Sequence, residues 1–382
     1  HGAHESRRRR VGARRRSPAL NPQVSNPHVF ARQNLARFAL WALAAALAAW
    51  LLAPALTPVP VEGFSAAIMS IGVHLAQGDV AAFDRLQPFN LEFFALSKLG
   101  AALGVAGAAR FFGLGGMTAL TLMMAAGEAI MLVCVFVLAR RWSGAPAPLV
   151  VLVMLLTPGL AESAFFHNDN IPAAALTSAA FACFALGGLP GWAAGGALYG
   201  LAVLTRPDVA VAAVAAPLIA AMRFALTPRA AGALALAAIG GACAWLIPLH
   251  LAGASPLDIL AVSRRAIVLW SRDPIYGRQF LEILVFLGAP ALILTFAGGW
   301  TLAQRRERLA FAMLVAPIVV FNLVFAGKLW QARQLQPLAP FFVALAALGA
   351  QRIGAALRQA ESPRLARAAL AACLAAFALM PM

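Results

Sequence analysis

Runs of about twenty apolar residues recur along almost the whole chain, separated by short polar breaks. No other feature limits its fold so tightly. A helix needs roughly 20 mostly apolar residues to cross a hydrocarbon layer about 30 Å thick. Backbone amides find no water in that layer, so helices are the form these runs can take. The charge content agrees: 12% of the 382 residues are Asp, Glu, Lys or Arg, and 62% are hydrophobic. A soluble domain carries about twice that share of charge. The expected class is all-α, a polytopic transmembrane helical protein.

The runs predict about eleven spans, at 37–56, 115–139, 146–160, 170–189, 191–205, 208–225, 231–252, 279–303, 309–327, 335–351 and 365–382. Residues 1–36 form a basic cytoplasmic tail expected to be disordered, and 37–382 a single transmembrane domain. The chain begins at His1 and stops inside an apolar run at Met382, so either end is a candidate truncation. Segment 88–113 is ambiguous, because it is moderately apolar but carries Glu92, Lys98 and Arg110. Positive charge on the cytoplasmic side decides the matter. If 88–113 lies at the interface or re-enters, twenty basic residues fall inside. They are Arg7 to Arg10, Arg14 to Arg16, Arg32 and Arg37, followed by Arg140, Arg141, Arg223, Arg229, Arg305, Arg306 and Arg308, and then Arg352, Arg358, Arg364 and Arg367. If it crosses, the eleven from Arg140 onward move outside, against the rule. Residues 57–114 therefore read as a long first extracytoplasmic loop carrying interfacial helices. The N-terminus is cytoplasmic, and the membrane is expected to be a bacterial inner membrane.

The net charge of +16 does not point to nucleic acid, since no folded module accompanies the arginine-rich tail. Such a tail beside a first helix touches anionic lipid headgroups and sets topology. Cys134, Cys183, Cys243 and Cys373 lie in apolar stretches and behave there as small hydrophobes. They show no metal spacing and no disulfide framework.

This topology gathers the acids on one side. Glu62, Asp79, Asp84, Glu92, Glu162, Asp169, Asp208, Asp258 and Asp273 all fall outside, with His74, His167 and His250. The densest group is His167-Asn168-Asp169-Asn170, which interrupts an apolar hairpin. A helix N-cap followed by Pro172 explains one of these four residues, not all. Glu62 lies just beyond the first span, where a carboxylate reaches the boundary between lipid and water. Glu128 falls mid-membrane, where an acid is costly and suggests a transport path or a bond between helices. The three outer histidines leave room for a divalent metal, though their spacing follows no zinc pattern; no other cofactor is implied.

Several of these features come in a familiar order. Glu62 follows the first span, a long loop comes next, and Asp169 precedes the fourth span. A Gly-rich helix runs into Leu204-Thr205-Arg206-Pro207, and Gly327-Lys328-Leu329-Trp330-Gln331-Ala332-Arg333-Gln334-Leu335-Gln336-Pro337 comes late. The set resembles the GT-C glycosyltransferases, in the branch of protein O-mannosyltransferases and the lipid A aminoarabinose transferase, over roughly 37–350. Val61-Glu62 keeps the second acid of that family's Asp-Glu pair, and Gln334 stands where a tyrosine follows the arginine. The resemblance implies transfer of a sugar from a polyprenyl phosphate to an acceptor hydroxyl on the outer face. The acceptor would be a lipid, a glycan or a protein.

On that resemblance Glu62 and Asp169 are the catalytic candidates, with Asp84 as a substitute base. Asp84, His167, Asn168, Arg206, Lys328 and Arg333 are the substrate-binding candidates. Asp169 is expected to stay ionised through the amides of its helix start. Glu62, beside Val61 and Phe64, is expected to hold the higher pKa suited to a base. The rival class is a transporter or flippase of lipid-linked or small substrates, for which Glu128 is the main argument. Internal repeats and midplane polar residues of the transporter kind are otherwise not evident.

Overall fold

The computed structural model describes residues 63–78, 98–162, 169–252, 277–326 and 331–359, with isolated positions elsewhere. The tail 1–36 and the runs 37–56 and 365–382 lie outside the described residues or nearly so. Among the described residues every regular element is a helix. In chain order these are α1 (Gly63–Ala76), α2 (Leu99–Phe112), α3 (Gly116–Ser143), α4 (Ala147–Leu155), α5 (Asn170–Leu186) and α6 (Leu189–Thr205). After α6 comes a 3-10 segment, Pro207–Val214, and then α7 (Ala215–Phe224), α8 (Pro228–Leu251), α9 (Arg278–Gln304) and α10 (Arg308–Val324). A second 3-10 segment, Ala332–Leu338, leads into α11 (Ala339–Gln359).

Five described runs are long and apolar enough to cross a membrane: α3, Pro207–Phe224, α8, α9 and Ala332–Gln359. The chain is an integral membrane protein. Helices α5, α6 and α10 have 17 residues each, about 26 Å at 1.5 Å per residue. The expected span 146–160 is broken instead. Helix α4 holds nine residues, about 13 Å, and a separate turn, Gly159–Glu162, follows it. Pro158 explains the break, since proline disfavours helix at the preceding residue and lacks the N–H a helix needs. Helices α1 and α2 are 14 residues each, about 21 Å, and they pack on one another.

Lipid exerts no hydrophobic force between helices, so packing contacts and small residues must hold the bundle together. Helix α11 is its axis: Ala339 to Gly349 are all buried. Trp142 of α3 stacks on Phe341 with ring centroids 5.3 Å apart. Phe181 of α5 meets the same ring edge-on, also at 5.3 Å. The crossing of α9 and α11 depends on two glycines. A Cβ on Gly298 would fall 1.9 Å from the Leu345 carbonyl oxygen, and one on Gly349 equally close to the Leu294 carbonyl oxygen.

Chain direction sorts the helix ends into two sets. Leu99, Leu204 and Leu249 pack together, joining the start of α2 to the ends of α6 and α8. At the other end, the Arg223 guanidinium of α7 donates to the Ala185 carbonyl near the end of α5. Arg140 and Arg141 close α3, and Arg305, Arg306 and Arg308 fill the turn between α9 and α10.

Gly298→Val should separate α9 from α11, because backbone atoms already occupy the space of the new side chain. Overpacking of this kind costs about 1–3 kcal/mol or more. Thermal unfolding in detergent should show a clear drop for Gly298→Val and little change for Gly299→Val, whose Cβ meets open space.

Candidate functional site

The site begins with two helix ends brought into contact. Gly100, in the first turn of α2, lies so close to α6 that a Cβ there would sit 2.3 Å from Thr205 Oγ1. A larger residue would hold the helices apart. Their approach carries Lys98, the residue before α2, to the start of α5. There the Lys98 ammonium donates to Asp169 Oδ2.

Arg206 reaches the same oxygen from α6. Its backbone leaves the helix in an extended conformation, φ −155° and ψ 105°, which Pro207 requires of the residue before it. Arg206 Nη1 donates to Asp169 Oδ2 at 3.1 Å and to the Asn170 amide oxygen. Arg206 Nε donates to both Asp208 oxygens, at 2.7 and 2.8 Å. Two cations and two carboxylates thus form one neutral cluster, of which Asp169 is 3% and Arg206 8% exposed.

Burial alone would raise the Asp169 carboxyl, but Lys98 and Arg206 outweigh it and hold Asp169 below the usual carboxylate range. Burial pulls the Lys98 ammonium below its ordinary value, with the Asp169 charge opposing. For Arg206, burial is outweighed by Asp208 and Asp169, which hold the guanidinium above its ordinary value. Asp169 stands at the N-cap of α5, yet its side chain makes no capping bond to the helix. The two cations do the work expected of the helix amides.

Of the residues the sequence singled out, Asp169 and Arg206 are in direct contact. Arg333 lies half-buried on the second 3-10 segment, which packs against α5. Glu62, Asp84, His167, Asn168 and Lys328 lie outside the described residues. Two partners were missed. Lys98 stands 71 residues from Asp169, with no periodicity to link them. Asp208 was legible, since Arg-Pro-Asp puts a carboxylate within reach of the guanidinium. Among the described residues, no three His, Cys, Asp or Glu side chains gather as a metal site requires.

Glu128 is fully buried on α3, and neither of its oxygens has a hydrogen-bond partner among the described residues. Its neighbour Gly127 packs against Ile171 and Pro172 in the first turn of α5. The acid therefore sits about one turn from the level of Asp169.

No family model matches the chain, and no curated protein does. Solved structures do. ArnT from Cupriavidus metallidurans in the apo state superposes with a TM-score of 0.63 at 19% identity, over 88% of this chain and 64% of that one. The same protein bound to undecaprenyl phosphate gives 0.63 and 19%, over 87% and 63%. ArnT is the lipid A aminoarabinose transferase, a GT-C glycosyltransferase. This chain has an ArnT-like fold. It spans just under two thirds of the length of ArnT. Within this fold, the Asp169 cluster occupies the end of the bundle away from Arg140 and Arg305.

Asp169→Asn tests the cluster with almost no change of shape. It leaves two buried cations without their shared anion, and breaking a buried pair costs about 3–5 kcal/mol. The melting temperature in detergent should fall well below that of the parent. The Asp169 contribution is complete above the unfolded carboxylate value of about 3.9 and is lost as pH falls through the lower folded value. The parent should therefore lose more stability than the variant on acidification through that range. Equal melting temperatures at neutral pH would mean that the cluster does not hold the helix ends together.

Proposed function

We propose that this chain is a membrane glycosyltransferase that moves a sugar from a polyprenyl-phosphate donor to an acceptor hydroxyl at the extracytoplasmic face. The observation that carries the reading is the pair of cations, Lys98 and Arg206, fixed side by side on Asp169. Among the described residues each keeps donors in reserve. An ammonium has three N–H groups, and Asp169 takes one from Lys98. Arg206 commits Nε and Nη1, which leaves Nη2 uncommitted among the described residues. Such groups suit the charge that builds on a departing phosphate.

In this reading the acceptor oxygen attacks the anomeric carbon while the bond from that carbon to the phosphate oxygen breaks. The electron pair leaves with the phosphate, where Lys98 and Arg206 stabilise it. Glu62 takes the hydroxyl proton as general base, with Asp84 as the substitute. Asp169 is the acid that fixes both cations; His167 and Asn168, beside it in sequence, would meet the sugar. Lys328 and Arg333 would add contacts to the phosphate. The likeness to an ArnT structure bound to undecaprenyl phosphate supports a polyprenyl-phosphate partner. The arginines at the opposite helix ends support an outward site, a cytoplasmic N-terminus and a cytoplasmic tail over 1–36. The acceptor belongs to the class of lipids, glycans or proteins bearing a free hydroxyl.

Glu128 favours the second reading, a transporter or flippase, because a buried carboxyl without a hydrogen-bond partner among the described residues suits a proton or ion path. The two readings part in one assay. Membranes containing the protein should transfer labelled sugar from a polyprenyl phosphate to an endogenous acceptor, and Glu62→Gln and Asp169→Asn should each abolish transfer. Lys98→Ala and Arg206→Ala should slow it roughly ten- to a hundred-fold, since one charge-assisted bond is worth about 1.5–3 kcal/mol. Full turnover in both acid variants would sink the enzyme reading. Orientation is tested separately. Cysteines replacing Asp79 and Phe165 should react with an impermeant reagent from outside, and one replacing Arg306 should not; the reverse pattern would turn the site inward.

A further inference from the structure

Arg206 can serve a ligand only if its guanidinium plane is held, and what holds it is unusual. Asp208 grips Nε with both oxygens, but Asp208 stands in the first turn of the 3-10 segment Pro207–Val214. Runs of 3-10 helix longer than three or four residues are uncommon, because their hydrogen bonds are poorly aligned. This one has eight residues and lies within a run apolar enough to cross a membrane. It needs support from outside itself. Tyr199 gives it. Its hydroxyl donates to the carbonyl of Val209, the residue after Asp208.

Tyr199 sits on α6, seven residues before Arg206, so the two lie two turns apart along nearly the same face. The phenol ring is half-buried among apolar residues and tilts against Phe181 with centroids 5.9 Å apart. It also lines a cavity of about 430 Å³ with Phe184, Gly196, Gly200 and Trp245. In such surroundings water is a poor substitute for the lost bond. We infer that Tyr199 is a positioning residue: its bond to Val209 fixes the 3-10 segment, so that Asp208 aims Arg206 at Asp169 and at the phosphate of the donor. Tyr199 touches no substrate in this scheme; it acts through Asp208. The inference rests on the phosphate-binding reading for its ligand, but its mechanical part does not.

The experiment measures two quantities on the full chain in nanodiscs. The first is affinity for undecaprenyl phosphate, read with the parent, Tyr199→Phe, Asp208→Asn and the double variant. Tyr199→Phe should weaken binding about five- to ten-fold, and the double variant should be no weaker than Asp208→Asn alone. A role in packing only would lower the melting temperature and leave the affinity of the folded protein unchanged, and that result overturns the inference. So does a double variant whose loss is the product of the two single losses. The second quantity is the melting temperature over the cycle of Tyr199→Phe and Arg206→Gln, which needs no ligand. If the parent binds no undecaprenyl phosphate, the phosphate reading fails, and this cycle decides alone. Shifts smaller together than their sum keep the mechanical link, and additive shifts remove it.

Discussion

A single carboxylate, Asp169, joins two cations that come from different helices at a place almost closed to water. Charges so buried are tolerated only when paired and hydrogen-bonded, since losing one partner strands the others. The start of α2, the start of α5 and the end of α6 are therefore tied to one another through side chains rather than through backbone. The rest of the arrangement follows from that tie. Gly100 must be small for Lys98 to arrive, and Pro207 must redirect the chain for Arg206 to turn back.

The bundle beneath supplies the rigidity that such a site needs. Lipid offers no gain from hiding apolar surface, so contact between helices depends on how closely backbones approach. Gly298 and Gly349 let α9 and α11 touch, and the aromatic contacts of Trp142 and Phe181 with Phe341 lock α3 and α5 to the same axis. Helices fixed in depth present their ends at fixed heights. The polar residues at those ends then meet repeatably, which a loop alone would not ensure.

The fold and the cluster bear on function in different ways. The fold sets a membrane frame shared with ArnT at 19% identity, and a frame can serve more than one chemistry. In the proposed reading the cluster narrows the chemistry, because two adjacent cations with N–H groups uncommitted among the described residues would suit a phosphate more than a neutral ligand. Glu128, beside the Gly127 contact with Ile171 and Pro172, is a buried acid that the phosphate reading does not use.

The sequence alone determined the class of the protein. Apolar length demands helices, and the helix runs from 115 to 351 appear in the structure close to where hydropathy put them, except where Pro158 divides 146–160 and where Gly288, at φ 68° and ψ 156°, kinks 279–303. It also marked Asp169, because polar residues that interrupt apolar runs stand out in a chain so poor in charge, and Arg206 through the resemblance carried by Leu204-Thr205-Arg206-Pro207. It did not show that these two touch, nor that Lys98 completes them. That pairing crosses 71 residues and depends on α2 lying against Thr205, a contact that no local periodicity encodes. Asp169 likewise looked like a helix cap, and only packing revealed that cations from two other helices hold its charge. Hydropathy is a property of each segment and can be read one segment at a time. Which ends meet is decided by how closely the helices pack, and that exists only in the folded bundle.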